Sequence, residues 1–160
     1  MTTTQETLPD TWLDAVIGAT DETSEQFLDL GNIEVLARSD ALPDVAAASL
    51  VSLTGDSTAV LVGIAADMPG CQVIAKSLLG MELEDEDLPM DDVIDALGEM
   101  ANIVAGSVKQ RIVDTGGETT VLGLPLVLQG KPLLTARHWV LSAECRIGPI
   151  EAHLLTICPK

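Results

Sequence analysis

The chain has 160 residues, 47% of them apolar, and sets 25 acidic against 8 basic side chains for a formal net charge of −17. That length fits one domain, residues 1–160, with a core of its own. So acidic a chain repels a phosphate backbone and an anionic membrane, and with Trp12, Phe27 and Trp139 as its aromatics and no Tyr it offers no base-stacking platform, so neither nucleic acid nor membrane is expected as a partner.

Residues 1–10 are polar and lack the basic start and apolar core of a signal peptide. No apolar run approaches the roughly 20 residues of a membrane span, so a soluble, cytoplasmic protein is expected. Residues 11–30, with Leu13, Val16, Ile17 and Phe27 at helical spacing, predict a first helix with a break around residues 20–23. Two β-branched runs, 48–53 and 58–65, joined by Thr54-Gly55-Asp56-Ser57, predict a hairpin. Both runs are apolar on both faces, which predicts a sheet covered on both sides.

Met68-Pro69-Gly70 opens a short helix that Gly80 closes, and an acidic stretch follows, read as a solvated linker. Its carboxylates lack the glycine at the sharp turn of an EF-hand loop. Pro89 stands at the start of a long helix, about 89–113, which Gly116-Gly117 ends. Strands are predicted over 119–129, 137–147 and 150–158, with turns at Gly130-Lys131-Pro132 and Gly148-Pro149. On the second of these, Trp139, Leu141, Ala143, Cys145 and Ile147 alternate onto one face. Strands in adjacent hairpins with the helices grouped early and midway predict an α+β fold, a mostly antiparallel sheet packed against helices.

Cys71, Cys145 and Cys158 are odd in number and irregularly spaced, with His138 and His153 as the other soft ligands, which predicts buried thiols rather than a disulfide or a zinc site. No phosphate-binding or nucleophile-elbow motif is present.

The long helix has two faces. Val93, Leu97, Met100, Ala101, Val104 and Val108 fall on one, the expected buried side. Opposite them, Asp91, Asp95, Glu99, Asn102, Gly106 and Lys109 form a polar stripe at steps of three or four. Gly98 and Gly106 lie beside it, each costing up to about 1 kcal/mol against Ala in a helix interior, which predicts close approach of another surface. Spacing alone leaves the stripe as an ordinary solvated face.

Asp95-x-x-x-Glu99-x-x-Asn102, followed after twenty-two residues by Pro125, resembles the signature of the CheC and CheX chemotaxis phosphatases. The resemblance runs from about residue 45 to the C-terminus and is weak over 1–44. One copy of the signature resembles CheX rather than CheC, whose fold carries two; Asp29-x-x-Asn32 lies ahead of the hairpin and is read as structural. Ser107 departs from the Asn often found in relatives, at the edge of the buried face, where it bears on packing more than chemistry.

The resemblance implies a two-layer CheC/CheX-like domain that hydrolyses the aspartyl phosphate of a CheY-like response regulator. Glu99 and Asn102 would be catalytic, Asp95 and Pro125 supporting, and Gly98, Ile103 and Gly106 would meet the partner. No cofactor is expected in this chain, with Mg²⁺ on the regulator, and a homodimer is implied, joined through strands of the C-terminal sheet. The alternative is a non-catalytic scaffold of the same fold that binds a phosphorylated regulator.

An aspartyl phosphate has a carboxylate leaving group, so its hydrolysis needs an aligned water more than a strong acid. A neutral carboxamide accepts a hydrogen bond from that water without adding charge beside the phosphoryl group. An anionic glutamate belongs instead on a cation, which the resemblance implies is the regulator's active-site lysine.

Overall fold

A computed structural model describes residues 3–130 and 137–160. Along the chain it runs α1 (Thr3–Gln26), β1 (Glu34–Ser39), β2 (Ala47–Thr54), β3 (Ala59–Ala66), α2 (Met68–Leu78), α3 (Met90–Asp114), β4 (Val121–Leu122), β5 (Leu126–Gln129), β6 (His138–Ile147) and β7 (Ile150–Pro159). The strands form one antiparallel sheet in the order β1-β6-β7-β3-β2-β4, with β5 also paired to β2. The fold is α+β.

Alternation along the strands divides the apolar residues between two faces. Val51, Leu53, Val62, Ile64 and Leu154 point to the helices and meet Leu13, Val16, Ile74, Met100 and Val104 in the main core. Leu50, Ala65, Leu155 and Ile157 point the other way into a smaller cluster, over which Leu42 and Val45 pack. Both faces are therefore covered, as the two-sided hydrophobicity of β2 and β3 predicts. Among the described residues no helix is long and apolar enough to cross a membrane.

Several expectations are corrected. The first helix is unbroken through residues 20–23, where Thr20 and Thr23 donate their hydroxyls to the carbonyls of Val16 (2.7 Å) and Ala19 (2.8 Å) and so bury without unmet polar atoms. It stops at Gln26, leaving Phe27 beyond its end and exposed. Asp29 and Asn32 lie in the following turn, where Asp29 takes φ 54° and the Asn32 amide donates to Asp21 and Glu25 on α1.

Strand β1 has no counterpart in the sequence reading. It is a short edge strand, exposed throughout, with a bulge between Val35 and Ala37 that breaks the period-two signal. The strand expected over 119–129 is split by residues 123–125. Gly123 runs so close to β2 that a β-carbon would lie 2.1 Å from the Ser52 hydroxyl, and Pro125 has no N–H to offer the ladder. On β6, Ala143, Cys145 and Ile147 are buried as expected, but Trp139 is exposed, with the Lys160 ammonium 4.7 Å over its ring. Lys131 and Pro132 of an expected turn lie outside the described residues.

The C-terminal strands are largely paired on both sides; among the described residues the exception is the 138–141 end of β6, which pairs with β7 alone. β7 lies between β6 and β3, and β6 is flanked by β7 and, over residues 142–146, by β1.

Candidate active site

The site is built on α3, 25 residues and about 37 Å long at 1.5 Å per residue. Asp91 and Asp92 sit in its first turn and Arg111 in its last, each charge opposite to the helix dipole end beside it. Val93, Leu97, Met100, Ala101, Val104 and Val108 are all buried. The Ser49 hydroxyl donates to the Leu97 carbonyl at 3.0 Å, a buried bond that ties the centre of the helix to β2.

That anchoring fixes which residues face outward. Asp95 and Glu99 are exposed, and Asn102, Ile103 and Gly106 are half-buried along the same side. Glu99 and Asn102, three positions apart, have Cβ atoms about 5–6 Å from each other on a regular helix. Among the described residues, neither side chain forms a hydrogen bond or ion pair, so a carboxylate and a carboxamide stand uncommitted on a rigid face.

Gly98 differs from its expected place. It is buried, and a β-carbon there would lie 3.5 Å from Pro125. The close neighbour of this glycine is thus the chain's own 123–125 loop, which brings Pro125 against the helix one residue from Glu99. Gly106 has nothing within 4 Å of a notional β-carbon and remains open.

Ser107 has a specific packing role. Its hydroxyl accepts from Arg111 Nε at 3.2 Å, while Arg111 Nη2 donates to Glu22 at 2.7 Å on α1. Gly18 makes room for that guanidinium, since a β-carbon there would lie 2.7 Å from Arg111 Nη1. The serine helps lock α1 to the motif helix.

Two further features were not anticipated. The acidic linker is not simply solvated: Lys76, 4% exposed, donates to the carbonyls of Leu83 (3.4 Å) and Asp85 (2.7 Å) and to the Asp87 carboxylate (2.9 Å). Gln72 clasps Leu88 from both sides, accepting from its N–H (2.9 Å) and donating to its carbonyl (3.0 Å). The start of α3 is therefore fixed to α2. Beside Glu99, Phe27, Leu78 and Leu79 face Asp92, Asp95 and Ile103 across an open groove of about 520 Å³. No motif in the sequence marks Phe27 or Leu79, which lie just past helix ends, where periodicity stops.

The cysteines are free and buried. Burial pushes the Cys145 thiol up to about 12, with Glu144 adding to it, and raises Cys71, helped by Asp67, and Cys158 to about 11. These are poor nucleophiles at neutral pH. Among the described residues no three His, Cys, Asp or Glu side chains converge as a metal site would need.

A family model described as the chemotaxis phosphatase CheX matches residues 47–145. The chain belongs to the CheX family. The matched span runs from β2 into β6 and so contains α3 and Pro125, while α1, β1 and β7 lie outside it. Among solved structures, the chemotaxis protein CheX of Desulfovibrio desulfuricans has a TM-score of 0.78 at 15% identity, covering 93% of this chain and 99% of its own. The CheX of Vibrio vulnificus gives 0.75 at 17% identity, with 93% and 99% covered. A CheX–CheY–BeF₃–Mg²⁺ complex from Borrelia burgdorferi gives 0.69 at 17% identity, with 93% and 95% covered. At these identities the structures share the fold. No curated protein matches the chain in sequence.

Proposed function

We propose that this chain is a phosphatase that removes the aspartyl phosphate of a CheY-like response regulator and so ends a chemotaxis or two-component signal in the cytoplasm. The observation that carries this reading is the uncommitted Glu99 and Asn102 pair, held on one face of a helix that Ser49 and the core fix in place. Membership of the CheX family and the existence of a CheX–CheY complex in a relative of the same fold support it.

In this mechanism the Asn102 carboxamide accepts a hydrogen bond from a water and holds it in line with the phosphorus. The water oxygen bonds to phosphorus as the bond from phosphorus to the aspartate oxygen breaks, giving inorganic phosphate and a free carboxylate on the regulator. Glu99 engages the regulator's active-site lysine and sets the approach. Asp95, one turn earlier, supports that face, Pro125 seats the loop against it, and Ile103 and Gly106 meet the partner's surface. Mg²⁺ is assigned to the regulator, and this chain's part is to position and orient.

The test is phosphate loss from a charged regulator with and without the chain. Accelerated loss is expected, with Glu99→Ala raising the regulator concentration needed for half-maximal rate. A wild-type chain that binds the phosphorylated regulator without speeding phosphate loss refutes catalysis and leaves the scaffold reading. The homodimer is also proposed, through the free edge of β1, where Val35 and Leu36 are exposed. A monomer mass by light scattering at micromolar concentration contradicts it.

A further inference from the structure

The groove beside Glu99 combines features that the hydrolytic reading leaves unused. Phe27, 53% exposed, and Leu79, 55% exposed, are two large apolar side chains left uncovered on the same hollow, one from the end of α1 and one from the end of α2. Scattered exposed apolar residues are ordinary, but two converging on a groove with Leu78 and Ile103 form a patch. Its α3 wall carries Asp92, Asp95 and Glu99, and among the described residues none of these carboxylates has an ion-pair or hydrogen-bond partner.

The groove is also preformed. Lys76 and Gln72 hold the connection between α2 and α3, and Asp21 accepts from the Ile33 N–H at 2.8 Å to fasten the turn that follows Phe27. Among the described residues no basic side chain lines this groove: the Lys76 ammonium is engaged with the linker, and Lys109 lies about 15 Å along the helix from Glu99.

We infer that this groove is a second docking point for the response regulator, taking an apolar side chain of the regulator between Phe27 and Leu79 and a neighbouring basic side chain on Asp92. The inference rests on the phosphatase reading for the identity of the partner. Continuity argues for that occupant, because Asp95 and Glu99 belong to both the groove wall and the polar stripe. A regulator that engages Glu99 therefore meets the wall of this groove. Charge argues against the others: a second copy of a chain of net charge −17 and an anionic bilayer both bring more negative charge to three unpaired carboxylates. The groove would select among receiver domains by the surface beside their phosphorylation site, leaving the hydrolytic step to Asn102.

The experiment titrates the full chain with CheY-like receiver domains of the same organism loaded with beryllofluoride, a stable phosphoryl mimic, so that affinity is read without turnover. For the receiver that binds best, Phe27→Ser with Leu79→Ser weakens binding at least tenfold, while Phe27→Leu with Leu79→Met restores most of it. Asp92→Asn weakens binding less and flattens its salt dependence. Retained affinity, within twofold, in the double serine variant with an unchanged thermal midpoint overturns the inference. So does a serine variant that binds normally but turns from dimer to monomer by light scattering, which makes the groove a contact between copies. If wild-type chain fails to hydrolyse the phosphate yet shows this pattern of affinities, the groove stands and the catalytic reading falls.

Discussion

Replacing Lys76 by Met isolates the clasp that fixes the start of the motif helix. The 2.7 Å bond from its ammonium to the Asp85 carbonyl is charge-assisted and buried at the donor, and such bonds contribute about 1.5–3 kcal/mol. The pair with Asp87 is weaker, because that carboxylate is 74% exposed and water screens it to about 1 kcal/mol or less. The 3.4 Å contact to Leu83 counts for little. Met keeps most of the side-chain volume and relieves the cost of holding a cation out of water, which offsets about 1 kcal/mol of the loss. The net expectation is a destabilisation of about 2 kcal/mol. For a chain of this length that lowers the thermal midpoint by about 4–8 °C. Urea denaturation of Lys76→Met and Asp87→Asn measures both, and Asp87→Asn should cost less than about 1 kcal/mol. A Lys76→Met chain within about 0.5 kcal/mol of wild type, or an Asp87→Asn chain as unstable as Lys76→Met, refutes the assignment of most of the stabilisation to the linker carbonyl.

Gly98→Ala should leave stability unchanged or raise it by up to about 1 kcal/mol, since the helix gains propensity and the added methyl meets Pro125 at an ordinary 3.5 Å; Gly98→Leu should destabilise by displacing the loop, and urea midpoints distinguish the two. Glu118 accepts from the Thr58 hydroxyl and from Ser57, bonds that hold its carboxyl below the ordinary 4.5. Its folded pKa being the lower, the stabilisation is fully present above the unfolded value and is lost as pH falls through the folded one. The stability gap between wild type and Glu118→Gln should therefore be constant near neutrality and close in acid, and a gap that widens below the ordinary carboxylate range contradicts it.

The fold was legible wherever burial and period coincided. The hairpin of β2 and β3, the helix closed by Gly80 and the buried face of α3 all follow from apolar spacing bounded by Gly, Pro or a polar turn. What escaped lacks such a signal. β1 has no buried face to impose alternation, and within α1 the polar Thr20 and Thr23, which composition alone reads as a break, are buried with their hydroxyls satisfied by carbonyls of the same helix. Trp139 shows the limit of alternation, which places a side chain on a face without saying whether that face extends far enough to cover it.

The stripe of Asp95, Glu99 and Asn102 was visible as a helical face, and the spacing to Pro125 gave it a family. Spacing points Gly98 toward a partner because the sequence does not say that the 123–125 loop comes back over the helix. The groove was invisible for a related reason. Phe27 and Leu79 follow the ends of α1 and α2 and Asp92 lies in the first turn of α3, and only the packing of those helices brings them together.

The central claim, that Asn102 directs the water, is tested most directly by single-turnover phosphate loss from a charged regulator at saturating chain, comparing wild type with Asn102→Ala. Loss should fall to the regulator's own rate in the variant while its thermal midpoint stays that of wild type. Asn102→Ala that matches wild type contradicts the mechanism.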